Sequence, residues 1–205
     1  MKAKRLLVLL TTFSLLFGAS VYAESQWGDY EGFSKVKLRL DGAEVKVGDN
    51  DTPAVLMKER TMLPLRYVAQ SLHTLVKWDP ATQTVDLNRP DVHMMFAQDV
   101  ADDLTTIRKP FSKVAQGRAG DFYVFVDAAG VTLPVEGFKI TVYSPSGEAV
   151  ASKTVNEVPP NSDESFWYLW KVNVNFAQKG DYVVKFAFQY KGELTVVSEK
   201  TITSN

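Results

Sequence analysis

Residues 60–87 read RTMLPLRYVAQSLHTLVKWDPATQTVDL, and whether this stretch builds a binding site or a folding unit decides the reading of the amino-terminal half. Pro64 has no amide hydrogen to lose at a first helical position and its φ already suits a helix, so a helix is predicted to begin there. Leu65, Val68, Ala69 and Leu72 follow at i, i+3, i+4 and i+7, one apolar stripe about two turns long. A helix so short does not persist alone in water, and the stripe is expected to lie on a sheet. His73 stands where a helix commonly turns out through a left-handed residue, a conformation histidine tolerates better than most side chains. "TLVKW", the loop "DPATQ" and "TVDL" then predict a hairpin, with Val76 and Trp78 on the face opposite Lys77.

Upstream, "KVKLRL" alternates, placing Val36, Leu38 and Leu40 on one face and Lys35, Lys37 and Arg39 on the other. Asp41-Gly42 offers a positive-φ turn into "AEVKV", a hairpin pattern. "GDNDTP" reads as a loop and "AVLMK" as a third strand. The expectation for residues 35–98 is an α+β unit: an antiparallel sheet of about five strands with one short helix.

The order Arg60, Thr61, Pro64, Leu65, Arg66, then an Ala-x-x-Leu helix end at Leu72, then Val76, Trp78, Asp79, then Thr84, Val85, Leu87 resembles the amino-terminal stalk domain of copper amine oxidases, a module also found in exported proteins of Gram-positive bacteria. The resemblance covers about a quarter of the chain, and Pro64, Leu65, Leu72, Trp78 and Asp79 carry its structural motif. Two positions depart from the family pattern: Lys58-Glu59 stands where Asn-Gly is common before the first arginine, and His73 where glycine often follows the helix. What the resemblance implies is a short helix against a twisted antiparallel sheet, in an extracytoplasmic setting. It does not imply the oxidase, whose chemistry resides in a separate domain with three histidine copper ligands and a cofactor-forming tyrosine within an Asn-Tyr pair. This chain has two histidines, His73 and His93, and no Asn-Tyr.

Residues 88–110 carry "NRP", "DVADD" and "RKP", a polar and proline-marked region suited to a linker at 99–110, with "VHMMF" as a last edge strand. From Phe111 the signal is all strand. "DFYVFVDA", "GFKITVYS", "EAVASKTV", "SFWYLWKVNVNF", "GDYVVKFAFQY" and "ELTVVSEKTITS" are separated by turn residues. With a first strand near "FSKVAQ", about seven strands predict an all-β immunoglobulin-like sandwich over 111–205. Alternation commits Phe166, Tyr168, Trp170, Val172, Val174 and Phe176 to its core, with Tyr182, Val184, Phe186, Phe188 and Tyr190. Tyr182 is a candidate tyrosine corner.

The chain has 205 residues, 45% of them apolar, enough for one or two domains. Lys2, Lys4 and Arg5, an apolar stretch of about 15 residues, and "VYA" ending at Ala23 read as a secretory signal, residues 1–23; the stretch is shorter than the roughly 20 residues a spanning helix needs. Residues 24–34 are expected to be a flexible start of the mature chain. Of 23 basic residues three lie in the signal, leaving 20 against 24 acidic, a net charge of −4. That balance favours neither nucleic acid nor, without a basic amphipathic helix, a membrane surface. The absence of cysteine suits bacterial export, and the expected setting is secreted or cell-envelope associated, without membrane insertion after signal cleavage.

Arg60 and Arg66 are candidates to clamp an anion; the alternative is that they pair with acids such as Glu59 or Asp79 and lay their stems over the sheet. His93 beside Met94 and Met95 suggests copper, but on a strand Met94 points away from the other two. Asp49, Asn50 and Asp51 lack the spacing of a calcium loop. Gly-x-Ser-x-Gly, His-Glu-x-x-His and phosphate-cradling glycine loops do not occur. Neither a metal nor a cofactor is expected. Trp167 and Leu169 share the outward face of their strand, where a tryptophan stacks on a sugar, anchors a protein, or packs within the chain. The expectation is an exported, non-catalytic binding or spacer protein of the bacterial envelope, its partner an envelope protein or cell-wall glycan. Two alternatives are a carbohydrate-binding sandwich using Trp167 and an envelope-polymer hydrolase using the acid pairs Asp102-Asp103 and Asp163-Glu164.

Overall fold

A computed structural model describes residues 27–40, 42–48, 51–102, 106–158 and 165–205. The expected signal, Asp41, Asp49, Asn50, Asp103 and the pair Asp163-Glu164 lie outside the described residues. The described chain is mostly β-strand in several sheets, with one short helix. It falls into two compact units, one ending at Pro64 and the other starting at Leu65.

In the first unit β1 (Asp29–Tyr30) and β2 (Phe33–Lys35) form a hairpin, so residues expected to be a flexible start are ordered. Glu31 and Gly32 both take positive φ between them, the geometry of a two-residue turn matched to strand twist. β3 (Arg39–Leu40) pairs with β4 (Ala43–Glu44), as the Asp-Gly signal predicts, though over two residues a side. β5 (Val55–Met57) pairs with β6 (Arg60–Met62) through Lys58 and Glu59. These two residues keep the tight turn with φ of 48° and 61°, bearing without glycine a conformation that L side chains disfavour. The strands form a four-stranded sheet in the order β1-β2-β5-β6, with β3-β4 apart, and not one five-stranded sheet.

The second unit opens with helix α1 (Leu65–Ser71). His73 adopts φ 57°, and the His73 and Thr74 amides donate to the Gln70 and Ala69 carbonyls at 3.0 and 2.8 Å. This pair of bonds is the Schellman termination, here with histidine in the left-handed position. The expected stripe is only partly used. Ala69 is buried, but Leu65 and Leu72 are 43% and 44% exposed, because seven residues make fewer than two turns and put Leu65 at the first position and Leu72 past the last. β7 (Leu75–Asp79) and β8 (Thr84–Asn88) form the predicted hairpin as a separate two-stranded sheet.

The remaining strands are β9 (Asp91–Val100), β10 (Ile107–Pro110), β11 (Lys113–Val114), β12 (Ala119–Ala129), β13 (Gly137–Tyr143), β14 (Ala149–Val155), β15 (Ser165–Asn175), β16 (Gly180–Tyr190) and β17 (Glu193–Ser204). They form a four-stranded sheet, β10-β9-β12-β15, and a five-stranded sheet, β11-β17-β16-β13-β14. Seven of the nine strands begin after Phe111, as expected. The other two correct the expected linker. β9 is not an edge strand of the first module but pairs with β12 over seven residues, and β10 occupies part of 99–110. Its alternation gives the reason: Val92, Met94 and Phe96 are buried, a complete inward face.

Both sheets contribute to one apolar core. Phe138 on β13 meets Phe166 and Tyr168 on β15 at 5.4 and 5.0 Å between ring centroids, and Phe186 on β16 at 5.1 Å. Tyr182, Val184, Phe186, Phe188 and Tyr190 are all buried, as their alternation predicts, while Trp170 is half-buried against the core. The Tyr182 hydroxyl accepts from the Gln178 amide at 3.1 Å, four residues upstream, in the manner of a tyrosine corner. Leu75 of β7 belongs to the same core, and the His73 ring Nδ1 lies 3.3 Å from the Val196 carbonyl on β17.

Candidate functional site

Two surfaces of the second unit bring conspicuous side chains together. The first is the outer face of the β9-β12-β15 sheet. Register places His93, Asp127 and Trp167 in one cross-strand row and Met95, Phe125 and Leu169 in the next. Trp167 is 56% and Met95 43% exposed, while Phe125 and Leu169 are half-buried. Trp167, Met95 and Phe125, together with Ile107, His93 and Asp127, border an open depression of about 630 Å³. The solvent face of an antiparallel sheet is ordinarily polar, and the two rows beyond return to that pattern. There Asp121 accepts from the Asn173 amide at 2.7 Å and pairs with Lys171 at 3.1 Å. The hydrogen bond from Asn173, then Lys171, holds the Asp121 carboxyl below the usual carboxylate range, and Asp121 in turn raises Lys171. The apolar row of Met95, Phe125 and Leu169 thus lies between these polar rows and the mixed row in which Trp167 stands beside Asp127 and His93.

The second surface is a cleft of about 390 Å³. Val76 and Trp78 on one face of β7, and Pro80 in the turn that follows, form its floor; Trp78, expected to serve the hairpin as a structural residue, is 50% exposed. Arg66, Gln70 and Thr74, four residues apart, line one wall from α1 and the turn after it, while Tyr190, Lys191, Glu193 and Thr195 line the other from the β16-β17 turn. Arg66 donates to Glu193 at 3.2 Å, with both side chains about two-thirds exposed. Its partner is therefore neither Glu59 nor Asp79, because the expected neighbours were sought along the sequence and Glu193 is 127 residues away.

The other candidates have structural surroundings. Arg60 falls in the first unit, on β6, and Arg66 in the second. Asp79 accepts from the Ala81 amide at 3.0 Å in the β7-β8 turn, and hydrogen bonds from Thr82, then Ala81, lower its pKa. His93 Nε2 lies 3.2 Å from Asp91 Oδ1; Met95 shares its face, and Met94 is buried on the opposite one. Among the described residues no three His, Cys, Asp or Glu side chains cluster as metal ligands would. The reading of the sequence missed the Trp78 cleft, because Glu193 and Lys191 meet α1 only through the tertiary fold. It also passed over Phe125 and Met95 as partners of Trp167, since cross-strand register is not written in any one strand.

Residues 34–109 match the family model of the Copper amine oxidase N-terminal domain. The match confirms the resemblance drawn from Arg60–Leu87, and it concerns the amino-terminal domain of those oxidases. It runs across the division at Pro64 and Leu65 and into β9 and β10. Comparison with curated proteins finds no match. Among solved structures, the chain is similar to the CARDB domain of a Pyrococcus furiosus protein in complex with di-metal ions, at 16% identity and a TM-score of 0.34, covering 57% of this chain and 89% of that one. It is also similar to a "putative beta-galactosidase" from Bacteroides fragilis, at 14% identity and a TM-score of 0.35, covering 57% of this chain and 18% of that one.

Proposed function

We propose that this is an exported, non-catalytic binding protein of the bacterial cell envelope, whose binding face is the outer surface of β9, β12 and β15 centred on Trp167. The two facing sheets are read as an immunoglobulin-like sandwich, supported by their common core and the Tyr182 corner. Export rests on the leader pattern of residues 1–23 and on the family match. The observation that carries the binding role is the exposed Trp167, joined through cross-strand rows to Phe125, Met95 and Leu169. An aromatic anchor within an apolar patch is what protein interfaces place at their centres. The favoured occupant is an envelope protein. A glycan is a second reading, because the Asp127 carboxylate directly opposite Trp167 offers hydroxyl groups an acceptor beside the stacking face.

The test is retention of the purified full chain on bacterial envelope fractions and, separately, on protein-free cell-wall glycan. Replacing Trp167→Ala is expected to weaken retention by roughly 30-fold, as loss of a central interface aromatic does. Retention by the envelope fraction alone supports the protein partner, and retention by glycan supports the second reading. Binding unaltered by the substitution, or none up to about millimolar chain, contradicts both.

A further inference from the structure

The Trp78 cleft has a construction different from the Trp167 face. Its floor of Val76, Trp78 and Pro80 is apolar, and both its walls are polar. A pyranose has the matching shape: a C–H face that lies flat on an indole, and an edge of hydroxyl groups that reaches hydrogen-bonding side chains to either side. Charge narrows the class. Arg66 and Lys191 face the cleft against one acid, Glu193. Arg66 spends a single terminal nitrogen on Glu193, and a guanidinium carries five N–H donors in a fixed fork suited to carboxylate or phosphate. Gln70, one helical turn from Arg66, adds an amide that both donates and accepts.

From these positions we infer that the cleft between α1, β7 and the β16-β17 turn is a binding site for an anionic saccharide, with Trp78 stacking on the sugar ring and Arg66 and Lys191 receiving its acidic group. Glu193 pairs with Arg66 beside the cleft and competes with the ligand for it. The site is separate from Trp167 and stands whether or not that face binds a partner.

The experiment titrates the full chain, at low ionic strength, with maltotetraose, C6-oxidised maltotetraose and phosphorylated maltotetraose. These share one backbone and differ in carrying no charge, carboxylates or phosphates. Binding is read from the indole N–H signals of the four tryptophans. The expected result is a saturable shift of the Trp78 signal, with Trp167 unmoved, and at least tenfold weaker binding of the neutral chain. The tighter of the two anionic chains identifies carboxylate or phosphate as the acidic group. Arg66→Gln is expected to lower the anionic affinity about tenfold and Glu193→Gln to raise it about threefold, a gain that a merely structural role for Glu193 does not produce. Trp78→Ala, which lacks the reporting indole and is therefore followed by isothermal titration calorimetry beside the unaltered chain, is expected to abolish saturation by all three chains. Equal affinity for the neutral chain, no saturable shift with any chain, or unchanged binding in Trp78→Ala overturns the assignment.

Discussion

Leu75 separates two ways of dividing the chain. If the sandwich core began after residue 98, a substitution in β7 would leave it untouched. In the structure Leu75 is 1% exposed and belongs to the same core as Phe138, Val184 and Phe186. Leu75→Ala removes a fully buried isobutyl group and leaves a cavity in this core, a change that costs roughly 2–5 kcal/mol in well-packed sites. A value of about 3 kcal/mol is expected, since the strands around the gap can close only part of it. With a urea m-value of about 2 kcal/mol per molar, the midpoint falls by roughly 1.5 M. Amide hydrogen exchange is the sharper assay, because it reads individual strands. Amides of β13 and β16 that exchange by global opening of this unit should lose roughly 100-fold protection, at about 1.4 kcal/mol per factor of ten. Leu87, on the same hairpin but 54% exposed, is the control, and its change to Ala should stay within about 0.5 kcal/mol. Unchanged protection in β16 of the Leu75→Ala chain would refute the shared core.

Glu59→Gly places glycine where φ is 61° and should stabilise the β5-β6 hairpin by about 1 kcal/mol, seen as slower exchange of the Met57 and Arg60 amides. Tyr182→Phe keeps the buried ring but leaves the Gln178 amide without its 3.1 Å acceptor; a loss of about 1 kcal/mol is expected in urea unfolding. Asp121 has a folded pKa lowered from 3.8, first by Asn173 and then by Lys171. A lowered carboxylate contributes stability that is fully present above its unfolded value and lost as pH falls through the folded one. Asp121→Asn should therefore flatten the stability profile below about pH 4 and leave its slope unchanged near neutrality.

What could be read along the chain was local. The Pro64 start, the left-handed His73 and the Asp41-Gly42 hairpin position each depend on a residue's own dihedral preferences, and the structure has all the elements they predict. The buried faces of β15 and β16 followed from period-two alternation, which register cannot shift by one without exposing every aromatic. Tertiary partners were not legible. β9 resembles an edge strand in sequence because Arg89 and Pro90 precede it and Asp91 opens it, although its Val92, Met94 and Phe96 carry a full core face. The β1-β2 hairpin escaped notice because Glu31-Gly32 is a weaker signal than Asn-Gly, and its strands are two and three residues long. The outward direction of Trp167 was expected from alternation, whereas its neighbours Phe125 and Met95 were fixed by the register of three strands far apart in sequence. Trp78 shows the converse. A residue expected to serve the fold is half exposed, because its hairpin turns only the Leu75 side toward the core.

The most direct measurement is hydroxyl-radical footprinting of the full chain with and without bacterial envelope fractions, followed at single residues by mass spectrometry. Protection of Trp167 and Met95, with Leu194 on β17 still labelled, is the predicted result. A chain retained by the envelope whose Trp167 and Met95 remain fully reactive would contradict the assignment of this face.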